Sequence, residues 1–322
     1  MTTTDHPPTS PAAAPLRVFA EDWDPSYGAP ATFDWDDAGT AERVEDGAGH
    51  VAGRVDARVP LAFVDGVRRA EMRLWAEDGR GVRIPGLAGA YAVGAVTVRP
   101  GHGAEFSGER VGRLAVWGHG HHGDLAGSHG FHWASESTTA GEPDELLLHL
   151  HERMRRAEGV LALEAAVAGW HTILDGPLNR IPGVHDLVTG YVKTHRRQLL
   201  ADDEHARVPL LAVGERTRIY TNGTHHYTCY ARVGPPGPGA SPWSGIARLH
   251  FPSVAGLDAV VAEADLLAGT LPAFAGVAHR DPRAPVNLSP VRNLERHLTH
   301  ALGSAKLARR AARDALLAGA GA

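Results

Sequence analysis

The sequence predicts a mixed α/β protein: a mixed β-sheet core flanked by helices, with extra β-strands and a C-terminal helical segment. Three observations support this prediction. Short apolar runs end in Asp-Gly twice, at residues 60–66 and 170–176. A long amphipathic helix pattern lies between those runs, and further strand-like segments follow before the helical end. Elements in that order pack in layers around one sheet.

The composition limits the class of protein. Hydrophobic residues make up 43% of the 322 residues and aromatic residues only 6%, so Ala, Val and Leu must form most of the core. The formal net charge of -5 means that any nucleic-acid contact requires a local basic patch. A single cysteine, Cys229, excludes an intramolecular disulfide and a multi-cysteine zinc site. Because neither a transmembrane run nor a signal-peptide pattern is present, we expect a cytoplasmic protein.

The first half of the chain predicts antiparallel strands. Residues 1–16 are typical of a disordered tail. Strand-like segments at 61–64 and 70–75 flank residues 65–69, which begin with Asp65-Gly66. Since Asp-Gly favours a tight turn, we expect a β-hairpin with Asp65 at its tight end. Further strands are expected at 90–98 and 110–117. The His-rich stretch 118–133 lacks a companion carboxylate or cysteine pattern, so a solvated loop is favoured over a metal cluster.

Residues 143–168 carry the clearest helix pattern. Apolar side chains recur at intervals of three and four: Leu147, Leu150, Met154, Ala157, Leu161 and Ala165. Glu158 falls inside this apolar stripe, whereas Glu152 lies on the opposite face and Glu164 at the margin. A carboxylate facing a core is unfavourable unless it is paired or bound to a metal. Glu158 is therefore either a metal ligand or part of a structural salt bridge.

The second half continues the sheet and ends in helices. Residues 170–176 predict a buried strand ending at Asp175, and 187–192 a neighbouring strand followed by Lys193. More strands are expected at 209–213, 217–221 and 226–233, with an edge strand at 245–251 that carries Arg248. Arg248 has two equal interpretations, a DNA phosphate contact or a structural ion pair. Helices are expected at 257–267 and at 290–318, the latter broken at Gly303.

Asp65, Glu158 and Asp175 are the acids that these elements would bring together. Hard divalent cations such as Mg2+ and Mn2+ prefer carboxylate oxygens, and one or two such ions can activate water to cleave a phosphodiester. Lys193 would neutralise the charge that develops on the phosphate. Structural alternatives remain: a turn for Asp65 or Asp175, a salt bridge for Glu158 and a surface position for Lys193.

An acid on a strand, an acid on a helix and an acid on a second strand follow the pattern of RNase H-like nucleases. Over roughly residues 20–315, the chain resembles the NurA family of DNA repair nucleases, the partners of the HerA-type hexameric translocase. The stretches that carry the resemblance are Phe-Val-Asp-Gly at 63–66, Arg-Arg-Ala-Glu at 155–158, Ile-Leu-Asp-Gly-Pro-Leu at 173–178, Gly-Tyr-Val-Lys-Thr at 190–194, Pro-Val-Asn-Leu-Ser-Pro at 285–290 with Leu-Glu at 294–295, and Trp-Asp-Pro-Ser-Tyr-Gly at 23–28.

The resemblance implies one nuclease domain at 17–322, with an RNase H-like core at about 58–300. It implies a homodimer that uses Mn2+ or Mg2+, with two ions, and that acts with a HerA-like hexameric ATPase on DNA ends or single strands in recombination repair. The implied catalytic residues are Asp65, Glu158, Asp175 and Lys193, of which the three acids bind metal, and the implied DNA contacts are Arg68, Arg248 and Arg296.

The C-terminal region departs from the family pattern. Many members complete the metal site with a tyrosine and a histidine near the C-terminus, whereas this chain offers Asn287, Glu295 and His297 there and no tyrosine. Glu295 or His297 is therefore the candidate for a fourth metal ligand. The alternative function is a weakly active or inactive RNase H-like module that docks on the translocase and guides DNA.

Overall fold

The structure is a computed structural model that describes residues 17–21, 41–56, 58–178, 183, 185–195, 197–221, 226–237, 240–281 and 283–319. The predicted tail at 1–16 and the stretch 23–28 lie outside the described residues. The described chain is a mixed α/β protein with a large mixed β-sheet, flanking helices and a long C-terminal helix. Within these ranges, none of the helices combines the length and the apolar character that a membrane span requires.

The strands of the first half are dominated by a long antiparallel meander. In chain order they are β1 (Arg17–Glu21), β2 (Glu42–Arg43), β3 (Val51–Ala52), β4 (Leu61–Glu77), β5 (Arg83–Val98), β6 (Ala104–Trp117), β7 (Leu125–Ala126) and β8 (His132–Ser137). Strands β4, β5 and β6 pair in sequence order and are antiparallel. The predicted strands at 90–98 and 110–117 are confirmed, although both are longer than expected.

The remaining elements alternate between helices and strands. They are α1 (Pro143–Val167), β9 (His171–Asp175), β10 (Val188–Val192), α2 (Asp202–Arg207), β11 (Glu215–Arg216), β12 (Tyr220–Thr221), β13 (His226–Arg232), β14 (Ile246–Pro252), α3 (Leu257–Thr270), α4 (Ser289–Ala301) and α5 (Ala305–Gly319). The predicted helices are confirmed, including the break at Gly303, whose φ of 72° suits a glycine between two helices.

The order of strands across the sheet is β2-β12-β13-β14-β10-β9-β4-β5-β6-β8-β7. Strand β9 lies between β4 and β10 and is parallel to both, as Val64↔Leu174 and Gly190↔Leu174 show. Strands β5 and β14 flank this parallel group and are antiparallel to it. The carboxyl end of β9 is therefore bordered by β4 on one side and by β10 on the other, which is where open sheets commonly place a site.

The expected hairpin at Asp65 is wrong. Strand β4 continues through this position, with Asp65 opposite Gly94 and Gly66 opposite Val93. Asp-Gly is a turn signal in many sequences, but here the glycine serves another purpose. A Cβ at Gly66 would lie 2.5 Å from Oε1 of Glu158 on α1, so the missing side chain permits the helix to approach the strand.

Three strand predictions in the second half also need correction. Strand β14 is not an edge strand, because it pairs with both β10 and β13. Residues 208–210 form a 3₁₀ turn where a strand at 209–213 was expected. The expected strand at 217–221 is replaced by two short strands, β11 and β12.

Helices cover both faces of the central strands. Leu174 packs with Met154 and Leu161 of α1 on one face. Phe63 packs with Leu294 of α4 on the other. Because side chains alternate along a strand, Asp65 lies on the Phe63 face, whereas Gly66 lies on the α1 face. Helices α1 and α4 thus approach the end of β9 from opposite sides.

Candidate metal centre

Asp65 on β4, Asp175 at the end of β9 and Glu295 on α4 meet in one group. Each offers a carboxylate oxygen, and these oxygens all lie within 4.8 Å of one another. Asp65 is buried, and the other two residues are partly buried. No second group of this kind occurs among the described residues, so the histidines of 118–133 form none there. Three convergent carboxylates of this geometry could hold a metal ion.

Glu158 reaches the same cleft from α1. The cleft has a volume of about 280 Å³, and Asp65, Glu158, Asp175 and Lys193 all line it. Glu158 is 0% exposed, as its place in the apolar stripe predicted. It stands over Gly66, whereas Glu295 approaches from the α4 side. The structure therefore brings the predicted acids together around the end of β9.

Arg155 ties Glu158 to the strand that carries Asp175. Its Nη1 donates to Oε2 of Glu158 and, at 2.6 Å, to the backbone oxygen of Asp175. Its Nη2 donates to the backbone oxygen of Pro177 at 2.8 Å. The salt-bridge interpretation of Glu158 is thus correct for one of its two oxygens. The sequence places Arg155 in the Arg-Arg-Ala-Glu stretch at 155–158 but gives no local signal for these contacts.

Asp175 and Glu295 also have cationic partners, which are Lys193 and Arg283 respectively. Nζ of Lys193 donates to Oδ2 of Asp175 at 2.5 Å and to Oδ1 of Asn287 at 2.7 Å. The guanidinium of Arg283 binds both carboxylate oxygens of Glu295, at 2.6 and 3.2 Å. Since the side chain of Lys193 is only 17% exposed, its surface interpretation is not supported. Three of the four acids, Glu158, Asp175 and Glu295, thus each have a cationic partner.

Burial changes the proton affinity of two of these acids. Burial, with the negative charges of Asp175 and Glu158, raises the pKa of Asp65 well above its usual range, against the opposing effect of Lys193. Burial also raises the pKa of Glu158 to about 7, against the opposing effect of Arg155. These two acids therefore hold protons more tightly than exposed carboxyl groups do, and a bound cation would displace those protons.

The residues of the cleft fit a hard divalent ion. Oε1 of Glu158 and Oδ1 of Asp175 are buried and have no hydrogen-bond partner among the described residues. Buried polar atoms normally have partners, so each unpaired oxygen requires an explanation. A donor set of carboxylate oxygens suits Mg2+ or Mn2+ better than zinc or copper. The identity of the ion is not fixed by this geometry.

His297 lies away from the acidic group. Its Nε2 is 2.6 Å from Oε2 of Glu109, and its ring stacks on Phe106 with centroids 4.2 Å apart. Two residues beyond Glu295 on the same helix, it faces a different side. Glu295, rather than His297, is therefore the residue of this pair that joins the carboxylates.

The three arginines predicted to contact DNA occupy different environments. Arg68 is half-buried on the α1 face of β4, and burial lowers its pKa. Arg248 is 2% exposed within β14, which favours its structural interpretation. Arg296 is exposed on α4 and lines a separate groove of about 830 Å³ beside His297. Of the three, Arg296 has the exposure that a phosphate contact requires.

Comparison with known proteins adds no family assignment. No family model matches the chain, and no curated protein matches it either. The character of the centre therefore rests on its own geometry: convergent acids, unpaired buried oxygens and a lysine at their edge.

Proposed function

We propose that this protein is a metal-dependent deoxyribonuclease with an RNase H-like core. The observation that carries the proposal is the group of Asp65, Asp175 and Glu295, whose oxygens lie within 4.8 Å of one another. Glu158 completes the sequence of acids on β4, on α1 and on β9, which is the order of RNase H-like nucleases. The antiparallel β4-β5-β6 meander beside the parallel β4, β9 and β10 strands gives further support.

The residues have distinct tasks in phosphodiester hydrolysis. Asp65, Asp175 and Glu295 would hold Mn2+ or Mg2+, which supplies Lewis acidity and a reactive hydroxide when bound. Lys193 has two of its three ammonium protons directed at Asp175 and Asn287, and the third can donate to a phosphate oxygen. Glu158, with a pKa raised to about 7 by burial, can exchange a proton with water near neutral pH.

A NurA-like role is part of the same proposal. Two of the motif stretches, 173–178 and 190–194, supply residues that line the cleft, and the stretch 285–290 supplies Asn287, which binds Lys193. Asn287 lies 94 residues beyond Lys193 in the chain, so their contact is not a consequence of local sequence and supports the resemblance. We accordingly propose a homodimer that processes DNA ends with a HerA-like hexameric ATPase and uses one or two ions.

The direct test is cleavage of end-labelled linear DNA with Mn2+. We expect Asp175→Asn and Asp65→Asn to lower the rate at least about 100-fold, since these ligands should matter more than outer-shell partners, whose loss costs about 10- to 100-fold. Glu164→Gln is the matched control, because Glu164 is half-exposed on α1 and pairs with Arg110. Cleavage by Asp175→Asn at the rate of the control would refute the assignment.

A second candidate is the weakly active or inactive module that guides DNA for the translocase. It is favoured by one observation: Glu158, Asp175 and Glu295 each already have a cation partner, which competes with a metal ion. This candidate predicts DNA binding without Mn2+-dependent cleavage, and equal DNA binding by wild type and Asp175→Asn.

A further inference from the structure

Lysine is scarce in this protein. The chain contains only Lys193 and Lys306, whereas 30 positions are arginine. Lys193 nevertheless occupies the cleft, where its ammonium group bridges Asp175 and Asn287. An ammonium group is compact and directs its three donors tetrahedrally, whereas a guanidinium group is a planar fork. The position of Lys193 therefore depends on the acceptors that surround it.

Asn287 is the second of those acceptors, and its amide can take only one orientation. The side chain is 0% exposed, and Nδ2 donates to Oδ2 of Asp281 at 2.5 Å. An ionised carboxylate only accepts hydrogen bonds, so the amide nitrogen must face Asp281. Oδ1 of Asn287 then faces Lys193, at 2.7 Å. Asp281 thus determines which atom of Asn287 the ammonium group meets.

Asp281 also supports the arm that carries Glu295. Its Oδ1 accepts a hydrogen bond from the backbone nitrogen of Arg283 at 2.8 Å, and Nε of Arg283 lies 3.6 Å from the same oxygen. Arg283 in turn binds both oxygens of Glu295. Asp281 is 3% exposed and does not line the cleft itself. Asp281 therefore supports Lys193 through Asn287, and it supports Glu295 through Arg283.

We propose that Asp281 and Asn287 are positioning residues of the metal centre. Asn287 holds the ammonium group of Lys193 at Asp175, and Asp281 fixes Asn287 on one side and Arg283 on the other. The consequence for catalysis rests on the proposed nuclease function, but the contacts are testable without DNA. Without Asn287, the long side chain of Lys193 gains rotamers in which its ammonium group leaves Asp175.

The scarcity of lysine makes the test specific. Protein labelled with 15N-lysine gives two side-chain ammonium signals in NMR, one from Lys193 and one from the exposed Lys306. In wild type we expect the Lys193 signal to be protected from solvent exchange. In Asn287→Leu and Asp281→Asn it should broaden or vanish, whereas the signal of the exposed Lys306 should not change. A far-UV circular dichroism spectrum equal to that of wild type reports that the fold is intact. Asn293→Leu, at an exposed position on helix α4, is the matched control.

Asp281→Asn is the second variant, which keeps the proposal testable if Asn287→Leu fails to fold. It keeps the shape of Asp281 but replaces one acceptor oxygen with a donor nitrogen. With its remaining oxygen on the backbone nitrogen of Arg283, the new amide presents its nitrogen to Asn287, which then loses this contact or turns its own nitrogen toward Lys193. A Lys193 signal that remains protected in both folded variants would overturn the proposal, whether or not the protein cleaves DNA.

The kinetic readout separates positioning from a merely structural role. In both variants we expect kcat for Mn2+-dependent cleavage to fall about 10- to 100-fold, as for outer-shell partners of metal ligands, with KM for DNA unchanged. Unchanged kcat in an active protein would overturn the positioning role. If wild type cleaves no DNA, the proposed function fails, and the positioning proposal is decided by the Lys193 signal and by Mn2+ affinity, which should fall in Asp281→Asn.

Discussion

Glu158 is a buried carboxylate whose hydrogen-bonding capacity is only partly satisfied. One of its oxygens is held by Arg155, whereas the other has no hydrogen-bond partner among the described residues. Burial raises its pKa to about 7 despite Arg155. The folded, metal-free protein must therefore either keep a proton on this buried group or carry a poorly solvated charge.

We expect Glu158 to lower the stability of the metal-free protein as the pH rises from about 5 to 8. The folded-state pKa of Glu158 lies above that of the unfolded chain, so the folded state binds more protons in this interval and its free energy of unfolding falls with pH. Glu158→Gln should reduce this slope and stabilise the protein at pH 8 by about 1–3 kcal/mol. The raised pKa of Asp65, which is caused by burial and neighbouring acids, contributes a slope of the same sign that remains. Urea unfolding in EDTA at several pH values measures both effects.

Glu136→Gln is the control of opposite sign. The pKa of Glu136 is lowered, although burial alone would raise it, because His149 and Arg153 bind its carboxylate. Its contribution to stability is present above the unfolded pKa and is lost as the pH falls through the folded one. Glu136→Gln should therefore destabilise the protein at pH 8. Stabilisation by both variants would mean that the loss of any acid explains the effect.

Single residues differ in how well the sequence predicted them. Glu158 and Asp175 could be found because an apolar period or an apolar strand makes an acid conspicuous. Lys193 was found because it follows a strand next to Asp175. Asp281 and Arg283 lie in a segment without periodicity, and their partners are distant in sequence. No local pattern distinguishes such residues from ordinary loop polar groups.

At the scale of elements, the approach of α1 to β4 determines where Glu158 stands. A Cβ at Gly66 would meet Oε1 of Glu158 at 2.5 Å, Cγ of Met154 at 3.0 Å and Val93 at 3.1 Å. Gly66, which together with Asp65 favours a turn in the sequence, is thus required here by packing within a long strand. At this position the tertiary contact between β4 and α1 outweighs the turn propensity of Asp-Gly.

Gly66→Ala should weaken the metal centre from outside the ligand set. The added methyl group must displace Glu158 or separate α1 from β4, which we expect to destabilise the protein by about 1–3 kcal/mol and to lower Mn2+ affinity. Gly103→Ala is the control, since nothing lies within 4 Å of its Cβ position. Thermal unfolding and calorimetric titration with Mn2+ test both. Equal behaviour of the two variants would contradict the close approach of α1.

Periodicity predicted the helices better than the strands. Of the stripe predicted on α1, which spans 25 residues, Leu150, Met154 and Leu161 are buried and the other three members are partly buried. Glu152, which the pattern places on the opposite face, lines the cleft together with Glu158. Strand β14 was expected at an edge, but it lies between β10 and β13. The neighbours of a strand are set by the rest of the sheet, and a short apolar run carries little information about them.

At the scale of the whole molecule, a bound ion would join β4, β9 and α4. We expect saturating Mn2+ to raise the melting temperature, because a ligand that binds only the folded state stabilises it by about 2.7 kcal/mol at 100 times its Kd. Asp175→Asn should abolish most of this increase. Differential scanning fluorimetry with and without Mn2+ measures it, and an equal increase in the variant would place the ion elsewhere.

The acids of the centre are far apart in the chain, and Glu295 follows Asp65 by 230 residues. During translation, β4, α1 and β9 are synthesised before α4. Until that helix docks, the emerging chain has a partial sheet and an unfinished pocket that lacks one of its three carboxylates. On the proposed function, we expect a chain interrupted before α4 to cleave no DNA, because it lacks Glu295.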